Sequence, residues 1–157
     1  MKKNLLKEII SKSDAILIDR GDLSRQLPIE KIPFLQRRII SSSRARNTEV
    51  FVATNLLESM VKTMTPTRAE VNDVAVSVQQ SCDAVMLTAE TSIGKFPVDA
   101  VKMMESIIEK MEDEIAQYSD YKGLNPLIDE MTVQSSISHS ACNISNELNI
   151  DLIIAMT

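Results

Sequence analysis

Three short apolar runs that alternate with helix-like stretches constrain the fold of this chain more than any other feature. The runs are residues 15–18, 49–53 and 83–87, and polar residues follow each of them. Apolar, partly β-branched segments of this length that end at charge or glycine are typical of buried strands. Strands that alternate with helices indicate βαβ units and a parallel sheet. The predicted fold class is therefore α/β.

The stretches after each run repeat apolar residues at steps of three or four. These positions are Ile29, Ile32, Leu35 and Ile39, then Val71, Val74, Ala75 and Val78, and finally Ala100, Met104, Ile107, Met111 and Ile115. Such spacing places the apolar side chains on one face of a helix. It predicts three amphipathic helices that pack against the sheet.

Polar residues collect where the predicted strands end. Asp19-Arg20-Gly21-Asp22 follows the first strand, Thr54-Asn55 the second and Thr88-Ala89-Glu90-Thr91 the third. The carboxyl ends of parallel strands are the usual place for an α/β active site. A glycine between an arginine and an aspartate offers backbone N–H groups, a cation and a carboxylate, which suit a phosphate beside a hard divalent metal. A solvated turn is the alternative for residues 19–22, and the repetition at three strand ends favours a functional site.

Composition excludes two classes of protein. The net charge of −5 argues against a nucleic-acid-binding protein, which normally has a basic surface. No apolar stretch approaches the roughly 18 residues that a membrane span needs. The one basic cluster, formed by Arg37, Arg38, Arg44 and Arg46, is interpreted as a solvated helix face.

The cysteines predict a reducing compartment. Cys82 and Cys142 follow no disulfide pattern and lie in apolar surroundings, so we expect them to be reduced and buried in a cytoplasmic protein. His139 lies three residues before Cys142, but two ligands do not make a zinc site.

Five segments of the chain carry a family resemblance. They are Arg20-Gly21-Asp22-Leu23, Ala53-Thr54-Asn55-Leu56-Leu57-Glu58-Ser59-Met60, Pro66-Thr67-Arg68-Ala69-Glu70, Asp73-Val74-Ala75 and Asp83-Ala84-Val85-Met86-Leu87-Thr88-Ala89-Glu90-Thr91. In order and spacing they resemble pyruvate kinase from about residue 5 to residue 157. The resemblance implies that residues 1–118 form the last part of a TIM (β/α)8 barrel. Residues 119–157 would contain a linker and the first helix and strand of a second α/β domain.

The resemblance also implies an activity and a set of site residues. Pyruvate kinase transfers a phosphoryl group from phosphoenolpyruvate to ADP and then protonates the enolate to pyruvate. Asp22 would be a ligand to Mg²⁺ or Mn²⁺, and Arg20, Gly21, Asp22 and Thr54 would bind the substrate. Thr54, Thr88 and Glu90 would form a catalytic relay that delivers the proton. Without the resemblance, Thr54 would be interpreted as a structural residue, either in a strand or as a helix N-cap.

Other parts of a pyruvate kinase site would lie outside this sequence. The resemblance implies that the catalytic lysine, a second metal ligand, the nucleotide site and the K⁺ site do so. We therefore expect residues 1–157 alone to be inactive, although the intact enzyme would be a homo-oligomer that uses phosphoenolpyruvate and ADP. A non-catalytic module for assembly, regulation or ligand binding is the alternative function. Three strands cannot close a barrel, so an apolar sheet edge is expected to be exposed.

Local sequence adds two expectations about the loops. Thr67 followed by Glu70 predicts a capping box at the start of the second long helix. Ser24 and Ala89 stand where the family usually has glycine, and Asn55 where it usually has glutamine. Loss of glycine from two active-site turns is expected to shift the backbone there.

Overall fold

Helices and strands alternate along the computed structural model, which describes residues 3–117, 133–150 and 152–154. The strands are β1 (Ala15–Asp19), β2 (Glu49–Ala53) and β3 (Ala84–Met86). The α-helices are α1 (Lys3–Ser11), α2 (Arg20–Gln26), α3 (Ile32–Arg44), α4 (Arg68–Gln79), α5 (Ala89–Ser92), α6 (Pro97–Gln117) and α7 (Val133–Glu147). None of these helices has both the length and the apolar content that crossing a membrane requires.

The three strands form one parallel sheet in the order β1-β2-β3. In the register of the sheet, Leu17 lies opposite Phe51, and Phe51 lies opposite Ala84. The predicted strands, the parallel sheet and the α/β fold class are therefore confirmed. The three predicted helices are α3, α4 and α6, and the first is preceded by a 3₁₀ turn at Ile29–Lys31.

One face of the sheet holds the hydrophobic core. Ile18, Val50 and Val52 are almost fully buried on this face, and they belong to one cluster of buried apolar side chains that includes residues of the surrounding helices. The cluster members from α3, α4 and α6 are Ile39, Ile40, Val74, Ala100, Met104 and Ile107. Except for Ile40, these residues belong to the predicted helix stripes, because a three- or four-residue step returns to the same side of a helix. Ile29 and Ile115, at the ends of two predicted stripes, are exposed instead.

The opposite face of the sheet is open. Leu17 on β1 is 51% exposed and Met86 on β3 is 43% exposed. Among the described residues, β1 and β3 each pair only with β2, so each has an unpaired edge. The two outer strands, β1 and β3, therefore combine an unpaired edge with exposed apolar side chains, as expected for three strands of a barrel.

The chain divides into two units, Met1–Leu127 and Ile128–Thr157. In the second unit, α7 is a helix within the range 119–157 where the resemblance implied one, and residues 152–154 have no regular secondary structure. The expected linker at residues 119–126 and the rest of the expected last strand, residues 155–157, lie outside the described residues. The prediction that Cys142 is buried is wrong, because most described side chains of α7 are exposed.

Candidate active site

The three strands end at one edge of the sheet. Asp19, Ala53 and Met86 lie side by side in its register. Because parallel strands present their carboxyl ends on the same side, the polar segments that follow them are neighbours. This edge brings together the residues that the sequence singled out.

The loop after β1 is joined directly to the loop after β2. The backbone N–H of Gly21 donates to Thr54 Oγ1 at 2.8 Å, and the N–H of Asp22 donates to Asp19 Oδ1 at 3.0 Å. A Cβ atom added to Gly21 would lie 3.2 Å from Asp19 Oδ1, closer than side chains normally approach. Glycine is therefore suited to residue 21 because it permits this close contact.

Thr54 adopts an unusual backbone conformation. Its φ is 69° and that of Asn55 is 54°, and positive φ is a genuine outlier for a β-branched residue. The threonine hydroxyl lies 3.2 Å from Asp19 Oδ1 and 2.7 Å from the carbonyl oxygen of Ala53. The N-cap interpretation of Thr54 is wrong, since the 3₁₀ turn at Glu58–Val61 follows Leu57 and has no side-chain cap.

Arg20 is buried beneath these two loops. Its Nε and Nη2 donate to the carbonyl oxygen of Thr54 at 3.1 and 2.8 Å, and Nη2 also donates to that of Asn55 at 2.8 Å. Nη1 forms an ion pair with Asp73 on α4. All three nitrogens of the guanidinium group thus bond to acceptors within the protein.

Glu90 joins the second strand end to the third. Its side chain is 1% exposed and accepts hydrogen bonds from the backbone N–H of Leu57 at 3.1 Å and of Thr88 at 2.9 Å. The hydroxyl of Thr88 donates to the same carboxylate at 3.5 Å, a long contact. Among the described residues, no hydrogen bond joins Thr54 to Thr88 or Glu90. The structure therefore pairs Thr88 with Glu90 and pairs Thr54 with Gly21.

The predicted capping box at the start of α4 is confirmed. Thr67 and Glu70 exchange the two reciprocal hydrogen bonds, and the Glu70 carboxylate also accepts from the backbone and hydroxyl of Ser59. Burial raises the pKa of Glu70, but the hydrogen bonds from Ser59 and Thr67 outweigh it, so the pKa lies below its usual value. Glu70 thereby ties the loop after β2 to α4.

The two positions that lack the family's glycine lie in helices. Ser24 is in α2, where its hydroxyl donates to the carbonyl oxygen of Gly21 at 2.7 Å, and Ala89 begins α5. Neither residue has a positive φ. Because serine and alanine adopt a right-handed helical backbone without strain, neither position requires glycine here.

The oxygen donors at this edge suit part of a divalent metal site. Asp22 is exposed, and its carboxylate lies 3.5 Å from Nη1 of Arg25, while the Asp19 carboxylate belongs to the same turn. In residues 3–117, 133–150 and 152–154 there is no group of three or more histidine, cysteine or acidic side chains that could hold a metal. Mg²⁺ commonly takes one or two carboxylates and completes its shell with phosphates and water. The donor set fits such an ion in part.

Sequence reasoning assigned no role to the side chain of Asp73. Glu70, Asp73 and Ser77 recur at helical spacing along α4, beside the apolar stripe that packs on the sheet. All three are engaged, and the Ser77 hydroxyl donates to the carbonyl oxygen of Asp73 at 2.9 Å. A polar row next to an apolar stripe was the signal that these residues bond inward.

Cys82 lies between α4 and β3, at the end of the sheet opposite the strand-end loops. The thiol is partly buried, and burial together with the charge of Asp83 raises the pKa of Cys82 to about 11. A thiol with a raised pKa is a poor nucleophile at neutral pH. Cys82 is therefore assigned a packing role.

The amino-acid sequence matches one protein family. The family model described as the barrel domain of pyruvate kinase matches residues 2–101. A pyruvate kinase of Thermotoga maritima is 39% identical over 97% of this chain, which spans 32% of that protein. Pyruvate kinase isozyme G of Nicotiana tabacum, a chloroplastic form, is 46% identical over 74% of this chain, which spans 22% of it.

Solved structures give the same result. The crystal structure of a pyruvate kinase from Cryptosporidium parvum has a TM-score of 0.66 and 38% identity, and the match covers 90% of this chain and 29% of that one. The crystal structure of pyruvate kinase from Pyrobaculum aerophilum has a TM-score of 0.67 and 38% identity. That match covers 68% of this chain and 26% of the other chain. The chain therefore spans about a third or less of each of these relatives.

Proposed function

The chain belongs to the pyruvate kinase family, and we propose that it supplies part of an active site that transfers a phosphoryl group from phosphoenolpyruvate to ADP. The observation that carries this proposal is the contact between the strand-end loops. Gly21 bonds to Thr54 across the first two strands, and Glu90 bonds to Leu57 across the second and third. Phosphoryl transfer relies on positioned charges and donors, which such a set of loops provides.

The loop after β1 is proposed to hold the substrate. The N–H groups of Gly21 and Asp22 donate to side-chain oxygens within the chain. A carboxylate of the substrate would bind beside these bonds, at the positive amino-terminal end of α2. Asp22 would hold Mg²⁺ or Mn²⁺ with its exposed carboxylate, and the bound cation would neutralise charge on the transferring phosphoryl group. K⁺ would bind elsewhere in the intact enzyme.

Proton delivery to the enolate is proposed for the other two loops. Thr54 lies at the Gly21 N–H and would be the hydroxyl next to the substrate. Thr88 and Glu90, whose side chains lie 3.5 Å apart, would form the second half of the relay, and water would connect them to Thr54. A threonine hydroxyl can only pass a proton along, so the relay needs an acid–base group such as the Glu90 carboxyl group behind Thr88.

Metal binding tests this function at Asp22. In the intact protein, we expect Asp22→Asn to weaken Mg²⁺ or Mn²⁺ affinity by at least about tenfold, because a carboxylate ligand loses its charge. The measurement is a titration of the metal, with Asp113→Asn on the exposed face of α6 as the matched control. Unchanged metal affinity in Asp22→Asn would make Asp22 a structural turn residue.

The same proposal extends to the oligomeric state and the cellular compartment of the intact enzyme. The intact enzyme is proposed to be a cytoplasmic homo-oligomer that binds no nucleic acid and no membrane, with a barrel portion at residues 1–118 and the start of a second domain at residues 119–157. Sedimentation of the intact protein measures the oligomeric state, and a monomer would contradict this part of the proposal.

A further inference from the structure

The buried arginine at the first strand end is bonded entirely within the protein. Arg20 is 9% exposed, and its guanidinium group contacts two backbone carbonyls and one carboxylate. A planar guanidinium presents five N–H donors in a fixed fork, so it bridges acceptors whose positions are already set. Here it links the loop after β1, the loop after β2 and helix α4.

The two carbonyls that Arg20 contacts belong to the residues with positive φ. Thr54 and Asn55 both have left-handed backbones, at 69° and 54°. A β-branched residue keeps such a conformation only when its surroundings impose it. The donors of Arg20 satisfy the Thr54 and Asn55 carbonyls in this arrangement, and Arg20 therefore favours it over the extended backbone.

The conformation of Thr54 decides where its hydroxyl lies. With φ at 69°, Oγ1 is 2.8 Å from the N–H of Gly21 and 3.2 Å from Asp19 Oδ1. A change of this φ to an extended value would redirect the Cα–Cβ bond and remove both contacts. The position of the hydroxyl therefore depends on the bonds that Arg20 makes to the Thr54 and Asn55 carbonyls.

Asp73 holds the other end of the guanidinium group. It lies on α4, its side chain is 39% exposed, and it pairs with Nη1 of Arg20. Hydrogen bonds between ionised partners are roughly twice as strong as neutral ones. The α4 helix is itself fixed to the loop after β2 through Glu70 and Ser59, so Asp73 is a firm support for Arg20.

We propose that Arg20 and Asp73 are a pair of positioning residues that hold the Thr54 hydroxyl at the Gly21 N–H, and that neither side chain contacts the substrate. The kinetic part of this inference rests on the proposed function, in which Thr54 delivers a proton. The structural part stands independently, because it concerns the bond between Thr54 and Gly21.

The structural part is tested by hydrogen–deuterium exchange of the intact protein. We expect Asp73→Ala to speed exchange of the Gly21 amide by about tenfold, because its acceptor is released. The Asp22 amide, which donates to Asp19, serves as an internal reference. Asn72→Ala, an exposed change on the same helix, is the matched control and leaves Gly21 protected. Unchanged exchange of Gly21 in Asp73→Ala would overturn the inference, whatever the enzyme's activity.

The kinetic part is tested by a double-mutant cycle with Thr54→Ala. We expect Asp73→Ala to slow isotope exchange at the methyl group of pyruvate by about 10- to 100-fold, the usual cost of a misplaced reacting group. In the Thr54→Ala background the same change should have an effect below about twofold, because residues that act as a unit are non-additive. Effects that multiply would show that Asp73 acts independently of Thr54 and would overturn the proposal.

Two further variants separate positioning from substrate binding and from misfolding. Asp73→Asn keeps the shape of the side chain and should give an intermediate loss with a KM for phosphoenolpyruvate within about twofold of the wild-type value. Arg20→Lys keeps the charge but not the fork, and should lose as much as Asp73→Ala. A raised KM with unchanged kcat in either variant would make the pair a substrate contact. Wild-type protein that shows neither methyl exchange nor phosphoryl transfer would refute the proposed function and leave the Gly21 exchange result to decide the positioning.

Discussion

Single residues at the strand ends serve more than one partner. Thr54 accepts from Gly21, and its hydroxyl lies within hydrogen-bonding distance of Asp19 and of its neighbour's carbonyl. Glu90 is almost completely buried, yet it satisfies two backbone N–H groups from different loops. A buried carboxylate with such partners is costly to disturb, since the donors would lose their acceptor. These residues therefore combine a structural role with the proposed chemistry.

Replacement of Thr54 separates the two roles. In the intact protein, we expect Thr54→Ala to slow isotope exchange at the methyl group of pyruvate by about 100- to 10,000-fold, the usual value of a positioned proton donor. Phosphoryl transfer should persist, because the Asp22 carboxylate that would hold the metal is unchanged. Thr54→Ser, which keeps the hydroxyl, should restore most of the exchange. If the threonine only supports Gly21, the variant would lose about 1 kcal/mol of stability and exchange protons at the normal rate.

At the scale of an element, the start of α4 organises the loop after β2. The capping box satisfies the first N–H groups of the helix, and the same Glu70 carboxylate reaches back to Ser59. One short segment, Thr67 to Glu70, therefore fixes both the start of α4 and the loop after β2. The helix then carries Asp73 to Arg20 one turn later.

The ionised form of Glu70 is therefore expected to stabilise the fold. The pKa of Glu70 is lowered in the folded protein, so its contribution is complete above the unfolded value, near 4.5, and is lost as the pH falls through the folded value. We expect Glu70→Gln to be less stable than the wild-type protein at pH 7 and to lose less stability on acidification below pH about 4.5. Thermal unfolding of both proteins between neutral and acidic pH measures this difference. Glu112→Gln, an exposed change on α6, should behave as the wild-type protein does, and parallel curves for Glu70→Gln would contradict the assignment.

At the scale of the whole molecule, the described sheet is covered on one face only. Val50 and Val52 are fully buried beneath helices, whereas Leu17 and Met86 on the opposite face are about half exposed. The chain spans 32% of its Thermotoga maritima relative, which accounts for a sheet of three strands. An incomplete barrel places the strand-end loops at one edge without enclosing them.

An activity assay of residues 1–157 alone tests whether this chain needs groups from outside it for catalysis. We expect no phosphoryl transfer from phosphoenolpyruvate to ADP, since the resemblance places the catalytic lysine and the nucleotide site outside these residues. A coupled assay for pyruvate measures the turnover. Turnover above background that disappears in Asp22→Ala would contradict the expectation, and it would also show that the missing groups are supplied within this chain.

The sequence by itself determined the alternation of strands and helices, the strand-end positions of Asp22, Thr54 and Glu90, and the capping box at Thr67. These features are local, because a strand, a helix stripe or a cap is defined by residues a few positions apart. It also carried the family resemblance, through motifs that can be read without a structure.

Tertiary structure alone decided which strand-end groups bond to one another. Arg20 turns inward to carbonyls 34 and 35 residues away and to Asp73, 53 residues away, and Glu90 reaches the N–H of Leu57, 33 residues away. Nothing local predicts a left-handed backbone at Thr54, because threonine disfavours it. Such pairings follow from the register of the parallel strands and the packing of α4 on the sheet, which no periodicity in the sequence specifies.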